Sequence, residues 1–186
     1  MRINKTFWGL AACAAFLTSA FWMPCRAFAE SRKNIDKQVQ DVLRRFYGEV
    51  KEGKTISQTA AGILVFPRVF KAGIGIGGEY GEGALLIKGK TADYYSTSAA
   101  SIGLQLGAQK KSILILFMQA GALNRFRESS GWKAGVDASI AVVKVGAGGA
   151  MDTAKLNEPI IAFVFGQKGL MYNLTLEGAK FTKLKK

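Results

Sequence analysis

From Ile35 the apolar positions Ile35, Val39, Val42, Leu43, Phe46, Tyr47 and Val50 recur at intervals of three and four, which places them on one stripe of a helix about four turns long. Gly53 stops that pattern, and Thr55 or Ser57 can cap a short second helix ending near Gly62. The opposite face of the first helix carries Lys37, Asp41, Arg44, Arg45 and Lys51. A stripe of this kind is expected to cover the domain's own sheet rather than lie on a membrane.

Beyond Gly62 the period changes from 3.6 to two. Ile74 and Ile76 alternate with Gly73, Gly75 and Gly77. Ile102, Leu104, Leu106 and Ala108 alternate with small or polar neighbours, and Leu170, Tyr172, Leu174 and Leu176 with Met171, Asn173, Thr175 and Glu177. These read as half-buried strands with one apolar face. Ile113 to Met118 and Ile160 to Phe165 are unbroken apolar runs, too short to span a membrane as helices and suited to central strands covered on both faces. Trp132 to Val145 reads as another alternating strand, and Leu123 to Glu128 as a short helical connection. The expected fold is α+β: an N-terminal amphipathic helix or helices packed on a strongly curved, largely antiparallel sheet or barrel of about six to eight strands. Glycine supplies the curvature, and Gly77-Gly78 is the expected bulge.

Composition then narrows the partners. Residues 1–29 read as a cleaved signal peptide: Arg2 and Lys5 precede an apolar run from Phe7 to Met23, and Ala27-Phe28-Ala29 has the small-x-small pattern of a cleavage site. A lipoprotein anchored at Cys13, from Leu10-Ala11-Ala12-Cys13, is the less favoured alternative, because it leaves too short a leader and an apolar tail behind it. Residues 30–186 form one expected domain, periplasmic or envelope-associated. Both cysteines fall in the leader and the chain has no histidine, which removes disulfides, thiol catalysis and the commonest general base and metal ligand. The formal charge of +13 becomes +10 once Arg2, Lys5 and Arg26 are removed. That balance favours anionic partners. In an envelope these are lipid head groups rather than nucleic acid, with solubility as the alternative use of the charge.

Chemical motifs are weak by comparison. Gly73, Gly75 and Gly78 fit G-x-G-x-x-G, but Pro67 interrupts the approach and Glu79 to Lys88 continues β-like, so the strand and helix that a dinucleotide site requires are missing. Glu79 and Glu82 are three apart, on opposite faces of a regular strand. Pairing with lysines or with backbone amides is their expected role, and a hydrolase using either is the minor alternative. Ser96, Ser98 and Ser139 have no histidine partner, and Asp137, Asp152 and Glu158 show no calcium-loop spacing. No enzyme activity, cofactor or metal is expected.

The stretch Phe66-Pro67-Arg68-Val69-Phe70-Lys71 continues into Gly73, Gly75, Gly77, Gly78, Gly81 and Gly83, interleaved with Glu79, Tyr80 and Glu82. It resembles the signature of the SYLF domain of lipid-binding proteins. Ala61 to Pro67, Gly103 to Gln109, Gly135 to Ser139 and Lys168 to Met171 follow the same family in order and rough spacing, over about residues 35 to 181. Tyr94-Tyr95-Ser96 stands where the family usually carries tryptophan-serine. The resemblance implies binding of phosphoinositides or other membrane lipids. It also implies actin binding in some eukaryotic relatives, a partner not expected for an exported chain. The residues expected to meet anionic lipid are Arg68, Phe70 and Lys71 in the signature, with Lys110 and Lys111 at a strand end. Alternatives are an envelope-maintenance protein acting through protein contacts and a small outer-membrane barrel.

Overall fold

The computed structural model describes residues 30–144, 157–169, 176 and 178–186. The leader and most of the strand expected over Leu170 to Glu177 lie outside the described residues. The first helix, α1, runs Arg32–Glu49 and buries Ile35, Val39, Val42, Leu43 and Phe46, the expected stripe. Ser31 caps it by accepting the Asn34 N–H at 3.3 Å. A short α2, Gly53–Thr59, follows.

Two long strands, β1 (Gly62–Ile87) and β2 (Lys90–Phe117), pair antiparallel along their whole length. Lys88 and Gly89 join them with φ of 51° and 76°, the left-handed pair that a tight hairpin turn of matching twist requires. Helix α3 (Ala120–Glu128) occupies the expected helical connection. It is followed by β3 (Trp132–Lys133), β4 (Ala141–Lys144), β5 (Ile160–Gly169) and β6 (Lys180–Leu184). The sheet runs β3-β6-β2-β5-β4, with β1 on β2. β4 and β5 are parallel and every other pair is antiparallel. β1 and β2 each bend at mid-length, so the sheet makes eight strand passes and curls into a half-barrel with α1 against it.

The bend is made where the ladder slips. Ile74 pairs with Leu106 and Ile76 with Ile102, so three residues of β2 oppose one of β1. The expected bulge at Gly77-Gly78 is therefore displaced: Gly77 and Gly78 pair in register with Ser101 and Ala100, and the breaks fall at Phe66/Val69, Ile74/Ile76 and Leu85/Leu86. At the first break Pro67 has no N–H to continue the ladder. Ile76 is 72% exposed, on the same outward alternation as Phe70 and Tyr80, against the expectation of a buried face. Past the bend, the far half of β1 lies on its near half. A Cβ on Gly83 would stand 2.8 Å from Phe66 Cδ1 and closer still to the Val65 carbonyl oxygen.

The two apolar runs are buried on both faces, as their sequence implies. Ile113, Ile115 and Phe117 join Ile160, Ala162 and Val164 in the core inside the curl, around Phe126, Trp132 and Phe181. Leu114 and Leu116 join Ile161, Phe163 and Phe165 under α1, where Phe46 meets Phe163 edge-on at 4.8 Å. The long strand expected from Trp132 to Val145 is not formed. Gly135, at φ 79°, turns the chain with Val136 and Asp137 and leaves only the short β3 and β4.

Tyr94 and Tyr95 alternate between these layers. Asp36 of α1 accepts hydrogen bonds from Tyr94 Oη at 2.9 Å and Thr91 Oγ1 at 3.0 Å, tying the helix to β2. Tyr95 points inward, with its ring 4.8 Å from Phe126. Burial, reinforced by Asp93 and opposed by Arg127, pushes its phenol up to about 12. The unfolded phenol titrates near 10. The folded chain thus holds a proton that the unfolded chain has lost between those values. The stability this contributes is complete below about pH 10 and is lost as pH rises through 12. A spectrophotometric phenolate titration is expected to show one tyrosine ionising only as unfolding sets in, and Tyr95→Phe removes that step.

Candidate functional site

The first register break of β1 and a second irregularity, between β2 and β5, sit side by side. Lys110 pairs with Lys168 and Ser112 with Phe165, which leaves Gly166 and Gln167 opposite Lys111. Ser112 Oγ donates to the Pro67 carbonyl at 2.9 Å, supplying a partner to an oxygen that the slipped ladder leaves behind. The gap between these bulges and α1 is a groove of about 450 Å³. Lys37 and Arg45 enter it from the helix, Arg68 from β1, Lys110 from β2 and Lys168 from β5, with Asp41 as the one carboxylate in its lining.

The cations differ in how far they are committed. Arg68 donates to Glu30 Oε1 at 2.8 Å and to Gln38 Oε1 at 2.6 Å. Arg45 lies 5.5 Å over the Phe165 ring, against Gly166, and reaches Glu49 at 3.5 Å. Gly166 has φ 64°, and a Cβ there would overlap the guanidinium, so the backbone device and the cation are one arrangement. Lys37, Lys110 and Lys168 are exposed and have no carboxylate partner among the described residues. Lys110 Nζ stands 6.0 Å over the ring of Phe70, which is 54% exposed at the groove's rim.

The five residues expected to meet lipid therefore separate. Arg68 and Lys110 line the groove, and Phe70 stands beside it under Lys110. Lys111 and Lys71 do not present their side chains to the surface, because alternation along a strand sends neighbours to opposite faces. Lys111 is 1% exposed and its Nζ binds Glu79 Oε2 at 2.9 Å inside the curl. Lys71 is 6% exposed, opposite the buried Gln109. Of the glycines, Gly73, Gly81 and Gly83 lie against backbone, whereas a Cβ on Gly78 would meet nothing within 4 Å. Both glutamates take the ionic role read from sequence. Glu79 pairs with Lys111, and Glu82 Oε2 accepts from Lys186 Nζ at 2.6 Å and from the Glu30 N–H at 3.0 Å.

Sequence reasoning missed Lys37, Arg45 and Lys168 as members of one site. The first two stood in plain view on the polar face of α1, but the strand pairing that brings Lys168 beside Lys110 joins residues 58 apart and leaves no local signal. None of the three described helices is long and apolar enough to cross a membrane, which says nothing of strands. No curated protein matches the chain. Residues 98–186 match the family model Ysc84, described as Las17-binding protein actin regulator, a match consistent with the SYLF family that the chain's ordered motifs resemble.

Proposed function

We propose that the domain is a non-enzymatic module that binds anionic lipid at a membrane surface of the bacterial envelope, with the groove between α1 and the two bulges taking the phosphate. The observation that carries this is the convergence of Lys37, Arg45, Arg68, Lys110 and Lys168 on one groove whose lining contains a single carboxylate. Cations from four separate elements set side by side repel one another unless an anion joins them. The family match supports a lipid-binding type of domain. The basic balance of the chain and its export pattern support an anionic lipid over actin, a partner an exported chain would not meet.

Lysine and arginine do different work in such a site. Arg45 and Arg68 are held by neighbours and present a fixed fork. The three uncommitted lysines supply mobile charge, each contributing on the order of 1 kcal/mol near an anionic surface. Replacing Lys37, Lys110 and Lys168 together by glutamine is expected to weaken binding of residues 30–186 to phosphatidylglycerol vesicles about a hundredfold. An unaltered thermal transition would show that the fold is intact. Undiminished binding by the triple variant would move the lipid contact away from this groove.

A further inference from the structure

We infer that the bend of the β1–β2 ribbon enters the apolar boundary of the bilayer while the groove holds the head groups; this rests on the lipid-binding reading above and adds the surface that penetrates. Phe70, Ile76 and Tyr80, three of the four large apolar side chains exposed among the described residues, stand on the outer face of β1 at 54%, 72% and 40%. Between them on that face lie exposed Ala72 and Gly78, and across the ladder exposed Ala108, Ala100 and Ser98. In a chain of which 21% is charged, no charged residue occurs from Ala72 to Gly78 or from Tyr94 to Gln109.

A free surface in water gains nothing from such a patch. Phe70, Ala72, Ile76, Gly78 and Tyr80 hold to one alternation of β1 through the bend, so the exposure of Ile76 is built into the strand. Tyr80 gives its hydroxyl to Glu82 Oε1 at 3.0 Å, which holds one end of its ring at a polar group and leaves the body to an apolar medium, the behaviour of aromatic residues at membrane interfaces. The occupant is a membrane rather than a second copy of the chain because the patch is continuous with the groove. Phe70 joins the two: Lys110 of the groove stands over its ring, and it shares a small adjoining pocket with Arg68 and Tyr80. Two copies joined face to face here would bring two basic grooves together, whereas an anionic bilayer satisfies charge and apolar surface at once.

Residues 30–186 contain both cores and no cysteine, so a single Ile76→Cys can carry a polarity-sensitive fluorophore. With phosphatidylglycerol vesicles its emission is expected to shift to the blue and brighten. The same label at Lys90→Cys, on the exposed start of β2 at the far end of the ribbon, stays solvent-like. Ile76→Asp is expected to lower vesicle affinity about tenfold, the equivalent of one buried aliphatic side chain, without changing the salt dependence. A label at position 76 that stays in water while the protein still floats with vesicles overturns insertion and leaves the groove standing. A blue shift that grows with protein concentration and needs no vesicles assigns the patch to a second copy and overturns the proposal. Failure to bind any vesicle overturns both readings.

Discussion

Replacing Glu79 by alanine is expected to destabilise the domain by about 3–5 kcal/mol, the usual consequence of stranding one member of a buried ion pair. Lys111 Nζ and Glu79 Oε2 are 2.9 Å apart, with side chains 1% and 6% exposed. Without its carboxylate the ammonium has no counter-charge among the described residues near it, and the wall of the curl cannot hydrate it. Replacing both partners at once, Glu79→Leu with Lys111→Met, is expected to recover most of the loss, since an apolar pair of similar volume is often as stable as the ions it replaces. Urea denaturation of the two single variants and the double variant forms the cycle that isolates the pair. The double variant should also bind vesicles like the parent, because both charged groups are buried and bonded to each other, although Lys111 contributes to the groove's lining. A Glu79→Ala protein as stable as the parent would mean that the pair is not buried as described.

Gly83→Val is the second large effect. The strand folds back on itself at this position. A Cβ alone would overlap the Val65 carbonyl and press on Phe66, and neither backbone nor a core ring fully enclosed in the curl can give way cheaply. A loss of about 3 kcal/mol or more is expected, enough to empty much of the folded population of a domain this size. Gly78→Ala, five residues earlier in the same motif, meets nothing within 4 Å and is expected to change stability by less than about 0.5 kcal/mol. The pair of variants measures how much of the glycine signature serves close packing. Equal effects at both positions would contradict the folded-back strand.

What could be read from the chain was what local periodicity encodes. The stripe from Ile35 to Val50 gave α1, and the two unbroken apolar runs gave strands with a core on each face, because burial on both sides needs no partner's identity to be recognised. Glu79 and Glu82 were legible as structural carboxylates from their spacing, three apart on opposite faces of a strand. Where the ladder slips was not legible. A bulge depends on which residues of the opposite strand stand across it, and the glycine pair that looked most suited to one is paired in register instead. Alternation also does not say which face of β1 is covered, so the exposure of Ile76 was not legible either. Lys110 and Lys111 illustrate the same point in charge: adjacent in sequence, they were assigned one role, yet the pleat sends one to solvent beside Phe70 and the other to Glu79. The groove itself is assembled from α1, β1, β2 and β5, so its members become visible as a set only when the strand order is known.

The central claim is that an anionic surface binds at the groove through charge. It is tested most directly by flotation of residues 30–186 with phosphatidylglycerol or phosphatidylcholine vesicles at about 50 and 500 mM salt, between which the screening length falls roughly threefold. Binding to phosphatidylglycerol alone, strong at the lower salt and largely lost at the higher, is the expected result. Binding to both lipids alike and indifferent to salt, or to neither, would contradict it.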